Sequence, residues 1–482
     1  YGLSNKVLKY IIEVIVNPLS FLFNKMLEQG IYPRALKVTK VIPVYKKGER
    51  LSPSSYRPIS LVPIISKILE SCIKGQINSF FISNNLFCEE QFGFMSGKNT
   101  INAVENVVNK ILANFENKLL SSALLIDLSK AFDCINPEIL KQKLFCYGIR
   151  DKELSLLISY LSDRKHMVVQ GEDKSVFRKV EVGVPQGSVL GPLLFIISVN
   201  DLPFNVPCPS ILYADDTTLV NCNKDLDKLI IEEKHALDIA IEWFHSNSLI
   251  VNDQKTESIV FSLDYSIYKE YKPVKLLGIH IDSRLSWDCH IEHLCKKLSR
   301  VIFLLRKLRT CVTLNMLITA YYAFFHSHMR YGITLWGNSC GAQTVFKWQK
   351  KALRVIKNVS ARESCVPLFK EYQIMTLPNL YIYCCLMDIK QSLNNLPTRQ
   401  ETHNYPTRKN YLLETIPVRL EKTKCSHVCM KIKLFNKLPK ELWCLPLKQF
   451  EIKVKKFLKE IVFYSIDEYL AYDIDMSVLS SF

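Results

Sequence analysis

The chain has 482 residues, enough for two to four domains and at least one large core. A hydrophobic content of 48% with 23% charged residues is ordinary globular composition and excludes a disordered or low-complexity chain. Its 63 basic and 46 acidic residues leave a formal charge of +17, which suits a polyanionic partner such as nucleic acid or an acidic membrane surface. The 16 cysteines are scattered and no secretory signal precedes them, so reduced intracellular thiols are expected rather than a disulfide framework.

In chain order, Val7 to Leu27 is apolar but interrupted by Lys9, Glu13, Asn17, Pro18 and Lys25. A membrane span needs about 20 mostly apolar residues, so the segment reads as a buried amphipathic helix broken near Pro18, with no membrane partner. A short strand at Val38–Tyr45, a basic turn at Lys46–Arg50 and a second extended piece at Tyr56–Leu61 follow. Helices are predicted over Ile64–Asn84 and over Thr100–Glu116, the latter capped by Asn99 or Thr100. Ala123–Leu128 suits a buried strand whose end presents Asp127. A helix runs from Pro137 to Tyr147, another over 152–162, and a ribbon joins Met167–Gln170 to Val176–Val184. Gly187–Val199 reads as a long apolar helix, and Ile211–Tyr213 with Thr217–Val220 as a tight hairpin around Asp215 and Asp216. A helix at Leu226–Ser246, a strand at Ser258–Ser262 and a ribbon at Lys275–Ile281 complete a mixed body. From Ile291 to Arg362 the pattern is helical, with about a dozen Lys and Arg against one acid, Glu292. The main boundary is therefore placed near 285–290 and a weaker one near Pro397–Pro406.

The chemistry starts from carboxylates. Alone, Asp215-Asp216 reads as a solvated turn, since Asp tolerates turn geometry. The flanking runs Ile-Leu-Tyr-Ala and Thr-Thr-Leu-Val should be core strands, however, and Asp127 ends another apolar run. Three carboxylates meeting at strand ends would hold hard divalent cations through oxygen. Two such ions could activate a 3′-hydroxyl and stabilise a leaving pyrophosphate.

Ordered blocks surround these acids: Tyr56-Arg57-Pro58-Ile59-Ser60-Leu61, Gln91-Phe92-Gly93-Phe94, Asp127 to Asp133, Gly183-Val184-Pro185-Gln186-Gly187-Ser188 and Tyr213-Ala214-Asp215-Asp216. Asn252 with Lys255-Thr256, Leu277-Gly278-Ile279, Leu285, Trp287 and His290 follow. In this order and spacing the chain resembles the reverse transcriptases of non-LTR (LINE-type) retrotransposons, most of all the jockey and CR1-like elements. The resemblance implies an α+β right-hand polymerase with fingers, a palm built on an antiparallel sheet, a helical thumb and a C-terminal helical extension. Its divisions would be 1–120 for N-terminal helices and fingers, 121–290 for the palm, 291–400 for the thumb and 401–482 for the extension. The reverse transcriptase domain itself would span about 35–285.

By the same resemblance Asp127, Asp215 and Asp216 bind two Mg²⁺ ions, for which Mn²⁺ can substitute, and the Leu128 carbonyl is an added ligand. Phe132 lies where such polymerases set an aromatic ring beneath the incoming sugar; a ring there excludes a 2′-hydroxyl and selects deoxynucleotides. Asp133 is a local hydrogen-bonding or turn residue. Lys46 and Arg57 match the basic residues that clamp the triphosphate, a task suited to a point charge and a bidentate guanidinium. Gln186 and Ala214 match nucleotide-contacting positions, Lys255 the general acid for pyrophosphate, and Leu277, Gly278 and Ile279 the ribbon that grips the primer end. The implied partners are an RNA template, a DNA primer and dNTPs, with action in the nucleus or in a cytoplasmic ribonucleoprotein. The endonuclease that relatives carry upstream is not recognised in this sequence, which would leave synthesis without cutting. The aromatics Tyr321, Tyr322, Phe324, Phe325, Tyr331 and Trp336 are read as thumb core rather than base-stacking platforms.

Two cysteine–histidine groups are not promoted to zinc sites: Cys289, His290, His293 and Cys295, and Cys425, His427 and Cys429. His326 and His328 are read as helix surface or packing residues. Two other readings stay open: a decayed or co-opted copy that binds RNA without catalysis, and another right-hand polymerase such as a group II intron type.

Overall fold

A computed structural model describes residues 4–268, 271–402 and 410–474. The expected boundary residue Pro406 and the end of the expected C-terminal extension, 475–482, lie outside them. The chain opens with α1 (Asn5–Gln29), β1 (Val38–Tyr45), β2 (Tyr56–Leu61), α2 (Ile64–Ser83), α3 (Thr100–Glu116), β3 (Leu120–Ile126) and β4 (Leu128–Ser129). It continues through α4 (Pro137–Cys146), α5 (Asp151–Leu161), β5 (Arg164–Gln170), β6 (Asp173–Lys174), β7 (Arg178–Val180), α6 (Gly191–Val199) and α7 (Leu202–Asn205). Then come β8 (Ser210–Tyr213), β9 (Asp216–Asn223), α8 (Leu226–Ser246), β10 (Ile250–Val251), β11 (Glu257–Phe261), α9 (Tyr265–Tyr268), β12 (Val274–Leu276), β13 (Ile279–Ile281) and α10 (Asp288–Leu308). Helices dominate thereafter. By contact the chain divides into Tyr1–Ala103, Ser122–Asn221 and Asp225–Ser258 on one side, and Val104–Ser121, Cys222–Lys224 and Ile259–Phe482 on the other. That division falls at Ser258–Ile259 rather than near 285–290, because most of α3 and the β12–β13 ribbon pack with the later helices.

In the first unit, α6 is buried along nearly its whole surface, from Leu193 to Val199, as a helix apolar on every side must be. Around it Leu69 and Ile73 of α2, Leu140 and Leu144 of α4, Leu156 and Tyr160 of α5, and Ala236, Ala240 and Phe244 of α8 close one core. Two sheets have strands in this unit, and Leu124 and Ile126 of β3, Leu212 of β8 and Leu219 of β9 enter the core. One has the order β2-β1-β5-β6 with β7 also on β5, and sets Val44 opposite Arg57 in an antiparallel pair. The other has the order β11-β3-β9-β8, and its β8–β9 hairpin is in tight register, Tyr213 opposite Asp216.

Three expectations are corrected. The first helix is neither broken nor buried: α1 runs through Pro18, with Tyr10 88% and Val14 78% exposed. Proline removes one helical N–H donor, but the Val14 carbonyl it would have served sits on that exposed stretch, where water can take its place. Only the C-terminal half packs, through Leu19, Phe23, Met26 and Leu27. Among the described residues α1 is the one helix long and apolar enough to cross a membrane. The second correction concerns α6, which begins at Gly191 rather than Gly187; residues 187–190 form turns, in which the Ser188 hydroxyl accepts from Gly191 N–H. The third concerns the ribbon after Gln170, whose return strands are the short β6 and β7 and do not reach Val184.

In the second unit α10 buries Ile291, Leu294, Leu298, Val301, Ile302 and Leu305, spaced as one helical face. Lys296, Lys297, Arg300, Arg306 and Lys307 stay exposed on the other. The helix Ala342–Lys357 packs beside it and repeats the pattern, with Lys347, Lys351 and Lys357 outside. Tyr321, Phe325 and Trp336 are fully buried, whereas Tyr322, Phe324 and Tyr331 reach the surface. A charge cluster is buried here too: Lys431 Nζ lies 2.7 Å from Glu105 and 2.8 Å from Asp388, and the Thr334 hydroxyl donates to Glu105. These paired acids hold the Lys431 pKa above the usual lysine range against the effect of burial. Lys431→Met should cost about 3–5 kcal/mol, because it leaves the buried Glu105 carboxylate without its cation. Urea denaturation measures this, and an unchanged midpoint would refute it.

Candidate active site

Asp127 occupies the break between β3 and β4, where the chain leaves the sheet core. Its carbonyl accepts the Asn252 N–H at 2.8 Å, and the Asn252 carbonyl in turn accepts from Lys255 and Thr256 at 3.0 Å. β10 pairs with β4, Val251 opposite Leu128, so the Asn252–Thr256 turn is fastened beside Asp127. The same turn delivers Lys255, whose Nζ lies 2.5 Å from Asp127 Oδ2. Leu128 is buried in β4 beside it.

The β8–β9 turn carries the other two acids. Its central residue Ala214 has φ +55°, a left-handed conformation that costs an L-residue about 1–2 kcal/mol. The Gln91-Phe92-Gly93-Phe94 block secures this turn from below. Gln91 is fully buried, and its Oε1 accepts from both Gly93 N–H at 2.7 Å and Ala214 N–H at 3.2 Å. Phe92 N–H donates to the Leu212 carbonyl at 2.8 Å and Leu212 N–H to the Glu90 carbonyl at 2.9 Å. A Cβ on Gly93 would lie 2.2 Å from the Ala214 nitrogen, so only glycine lets the two backbones meet. Sequence reading matched this block as a motif and gave it no task. The available signal was a lone glycine inside an apolar block with no turn to explain it.

Burial and mutual repulsion act on the acids together. Asp215 is held above the usual carboxylate range mainly by burial and then by Asp127, with Arg57 and Lys46 opposing. Asp216 is pushed up to about 6 by burial, Asp215 and Asp127, with Lys255 opposing. The negative charge is thus only partly compensated by the chain's own cations. Oxygen-only donors with surplus negative charge fit hard divalent ions. Lys46 and Arg57 stand at the neighbouring ends of β1 and β2, exposed, within the field of Asp215.

Phe132 sits on the single turn Ala131–Asp133 after Lys130, itself left-handed at φ +51°. Its ring packs against Phe195 of α6 with centroids 4.9 Å apart and meets Phe94 edge-on at 6.4 Å. Gln186 donates through Nε2 to both Asp133 oxygens at 3.0 Å, so Asp133 fixes the amide of the expected nucleotide-contacting residue. The Gln186 carbonyl accepts from Ser60 N–H at 2.7 Å, tying the Pro185-Gln186-Gly187 loop to β2. Leu277 and Gly278 form the left-handed turn of the β12–β13 hairpin in the second unit, where the Tyr331 hydroxyl donates to the Leu277 carbonyl. Of the declined groups, Cys289 and His293 do gather, but with His280 in place of His290 and Cys295. Cys425, His427 and Cys429 form no such group among the described residues.

Residues 44–281 match the family described as reverse transcriptase (RNA-dependent DNA polymerase). They form a reverse transcriptase domain. Over a longer stretch the chain is 29% identical to the probable RNA-directed DNA polymerase from transposon BS of Drosophila melanogaster, across 374 residues, 70% of this chain and 40% of that protein. It is 27% identical to the RNA-directed DNA polymerase from mobile element jockey of Drosophila melanogaster, across 70% of this chain and 39% of that protein. Beyond that domain the chain is similar to the RNA-directed DNA polymerases of jockey-like non-LTR retrotransposons. It spans about two fifths of the length of these relatives. A solved telomerase from Candida albicans, in complex with a fragment of telomeric RNA, superposes with TM-score 0.45 at 12% identity, over 74% of this chain and 68% of that one.

Gln91→Met removes the acceptor beneath Ala214 and strands a buried N–H, a loss of about 1–3 kcal/mol in stability. Turnover of primer extension should fall at least about tenfold with little change in KM for dNTP, since the reacting groups are displaced while the binding surface stays. Unaltered turnover would show that the turn needs no clamp. A second expectation follows from Asp216, whose folded-state pKa lies above its ordinary value of 3.8. The folded chain then binds more protons than the unfolded one between 3.8 and about 6, so stability without metal falls as pH rises through that window. Mg²⁺ should therefore raise the melting temperature more above about pH 6 than below it. Equal shifts on both sides would contradict the charge surplus.

Proposed function

We propose that this chain is an RNA-directed DNA polymerase that copies retroelement RNA into DNA, primed at the 3′-end of a target DNA strand, by two-metal-ion nucleotidyl transfer. The observation that carries the reading is the gathering of three acids, Asp127 at the end of β3 and Asp215 and Asp216 on the β8–β9 turn, where burial first and then the neighbouring acids raise Asp215 and Asp216. The three carboxylates and the Leu128 carbonyl would hold Mg²⁺, or Mn²⁺ in its place, which when bound would supply the charge that acidifies the primer 3′-hydroxyl and neutralises the leaving pyrophosphate.

The chain's own residues supply the rest. Lys46 and Arg57 bind the triphosphate oxygens, Lys as a point charge and Arg through its fork of N–H groups. Phe132, backed by Phe195 and Phe94, walls the sugar on its 2′ side, and its ring leaves no room for a 2′-hydroxyl. Gln186, its amide fixed by Asp133, touches the base pair being formed, and the Ala214 backbone lies against the primer terminus. Lys255, whose Nζ lies 2.5 Å from Asp127 Oδ2, donates the proton that the leaving pyrophosphate needs. The Leu277-Gly278-Ile279 turn grips the primer, and the exposed basic faces of α10 and of Ala342–Lys357 track the phosphate backbone. The reaction belongs in the nucleus or in a cytoplasmic ribonucleoprotein, where template and target meet.

Primer extension on an RNA template with dNTPs and Mg²⁺ tests the reading. Wild-type protein should extend, Asp215→Ala should lose at least about a thousandfold in rate, as expected when a group that organises the charge is removed, and Phe132→Val should admit rNTPs. A wild-type protein that binds RNA without extending any primer would favour the binding-only remnant, and full activity in Asp215→Ala would remove the metal assignment.

A further inference from the structure

We propose that His280, Cys289 and His293 bind a borderline-soft divalent transition metal, Zn²⁺ by its chemistry, at a site apart from the carboxylates that fastens β13 to α10. Their three ligand atoms lie within 4.8 Å of one another, on two separate elements: His280 on β13, Cys289 and His293 one turn apart on the first turns of α10. On a helix, positions four apart share a face, so the pair presents as a unit. Tetrahedral zinc bonds of about 2.0–2.1 Å to nitrogen and 2.3 Å to sulfur place ligand atoms about 3.3–3.6 Å apart. The remaining gap of about 1 Å lies within reach of side-chain rotation, because none of the three residues is locked in the core.

The surroundings orient the ligands. The rings of His280 and His293 stack at 4.0 Å, which already brings β13 and α10 together at this point. The His293 Nδ1 lies 2.9 Å from the Cys289 carbonyl and 3.7 Å from the Cys289 Sγ, so the ring is already turned towards the thiol with which it would share the ion. Cysteine binds metal as the thiolate, so coordination by Cys289 releases a proton to solvent. Nitrogen and sulfur donors select zinc-like ions over Mg²⁺, so the two sites take different cations. Three protein ligands leave the fourth position to water.

Two further contacts show what the ion would hold. The His280 N–H donates to His290 Nδ1 at 3.4 Å, already joining β13 to α10. Three residues before His280, the Leu277 carbonyl takes the Tyr331 hydroxyl. A metal bond from His280 to α10 would stiffen the hairpin whose turn is assigned to the primer, yet the site stands whether or not the chain polymerises.

The test uses the full chain, reduced, stripped with a chelator and titrated with Co²⁺ as a spectroscopic stand-in and with Zn²⁺. One equivalent should give thiolate-to-cobalt charge-transfer and tetrahedral d–d bands, and Zn²⁺ should displace it and raise the melting temperature. Cys289→Ser should abolish the charge-transfer band, and the exposed His293→Asn should weaken Zn²⁺ at least about 10-fold. No tetrahedral band at one equivalent overturns the proposal. So does a band that survives in Cys289→Ser, which would trace to others among the 16 cysteines.

Discussion

Asp127, Asp215 and Asp216 repel one another, and every feature around them bears on keeping them together. The ties fall on the backbone of the acids' own segments: the Asn252 N–H on the Asp127 carbonyl, and the Gln91 side-chain amide on the Ala214 N–H of the β8–β9 turn, with Gly93 in close approach. Such ties leave the carboxylate oxygens for cations, with Lys255 as the one ion-pair partner drawn to Asp127. A side-chain hydrogen bond to each acid would have lowered its charge density and with it the attraction for metal. The site is thus poor in its own neutralisation and rich in external scaffolding, as a cation site built from a folded chain has to be.

That scaffolding explains which parts of the chain could be read directly. The strands Val38–Tyr45 and Tyr56–Leu61 and the helices over 64–83, 100–116 and 226–246 show their periodicity openly, because one face of each meets a core and the other meets water. The acids were legible as strand-end residues among apolar runs, but their assembly into one site came from family motif order rather than periodicity. The tasks of Gln91 and Gly93 were hidden, since a buried amide accepting from a turn 123 residues away leaves no local pattern. The His280 partnership with Cys289 and His293 was hidden for the same reason: the ribbon at Lys275–Ile281 was foreseen, its docking against α10 was not.

The failure at α1 is of another kind. Apolar character implies burial for most helices, and an internal proline breaks a helix when the carbonyl it orphans has no other donor. Here both rules are relaxed by solvent exposure along the first half of the helix. The shift of α6 to Gly191 has a local cause: the Pro185-Gln186-Gly187 loop must stay close to β2, and a helix beginning at Gly187 would carry it away.

The Phe132 ring leans on Phe195, and Phe195 belongs to the helix around which the first unit is packed. If Phe132 walls the sugar as proposed, sugar choice is not confined to that one residue. A volume change inside α6, far from any nucleotide and silent in a binding assay, would let the ring settle deeper and loosen the wall. On the proposed function, such a change would show as ribonucleotides embedded in the product before it was felt as loss of fold.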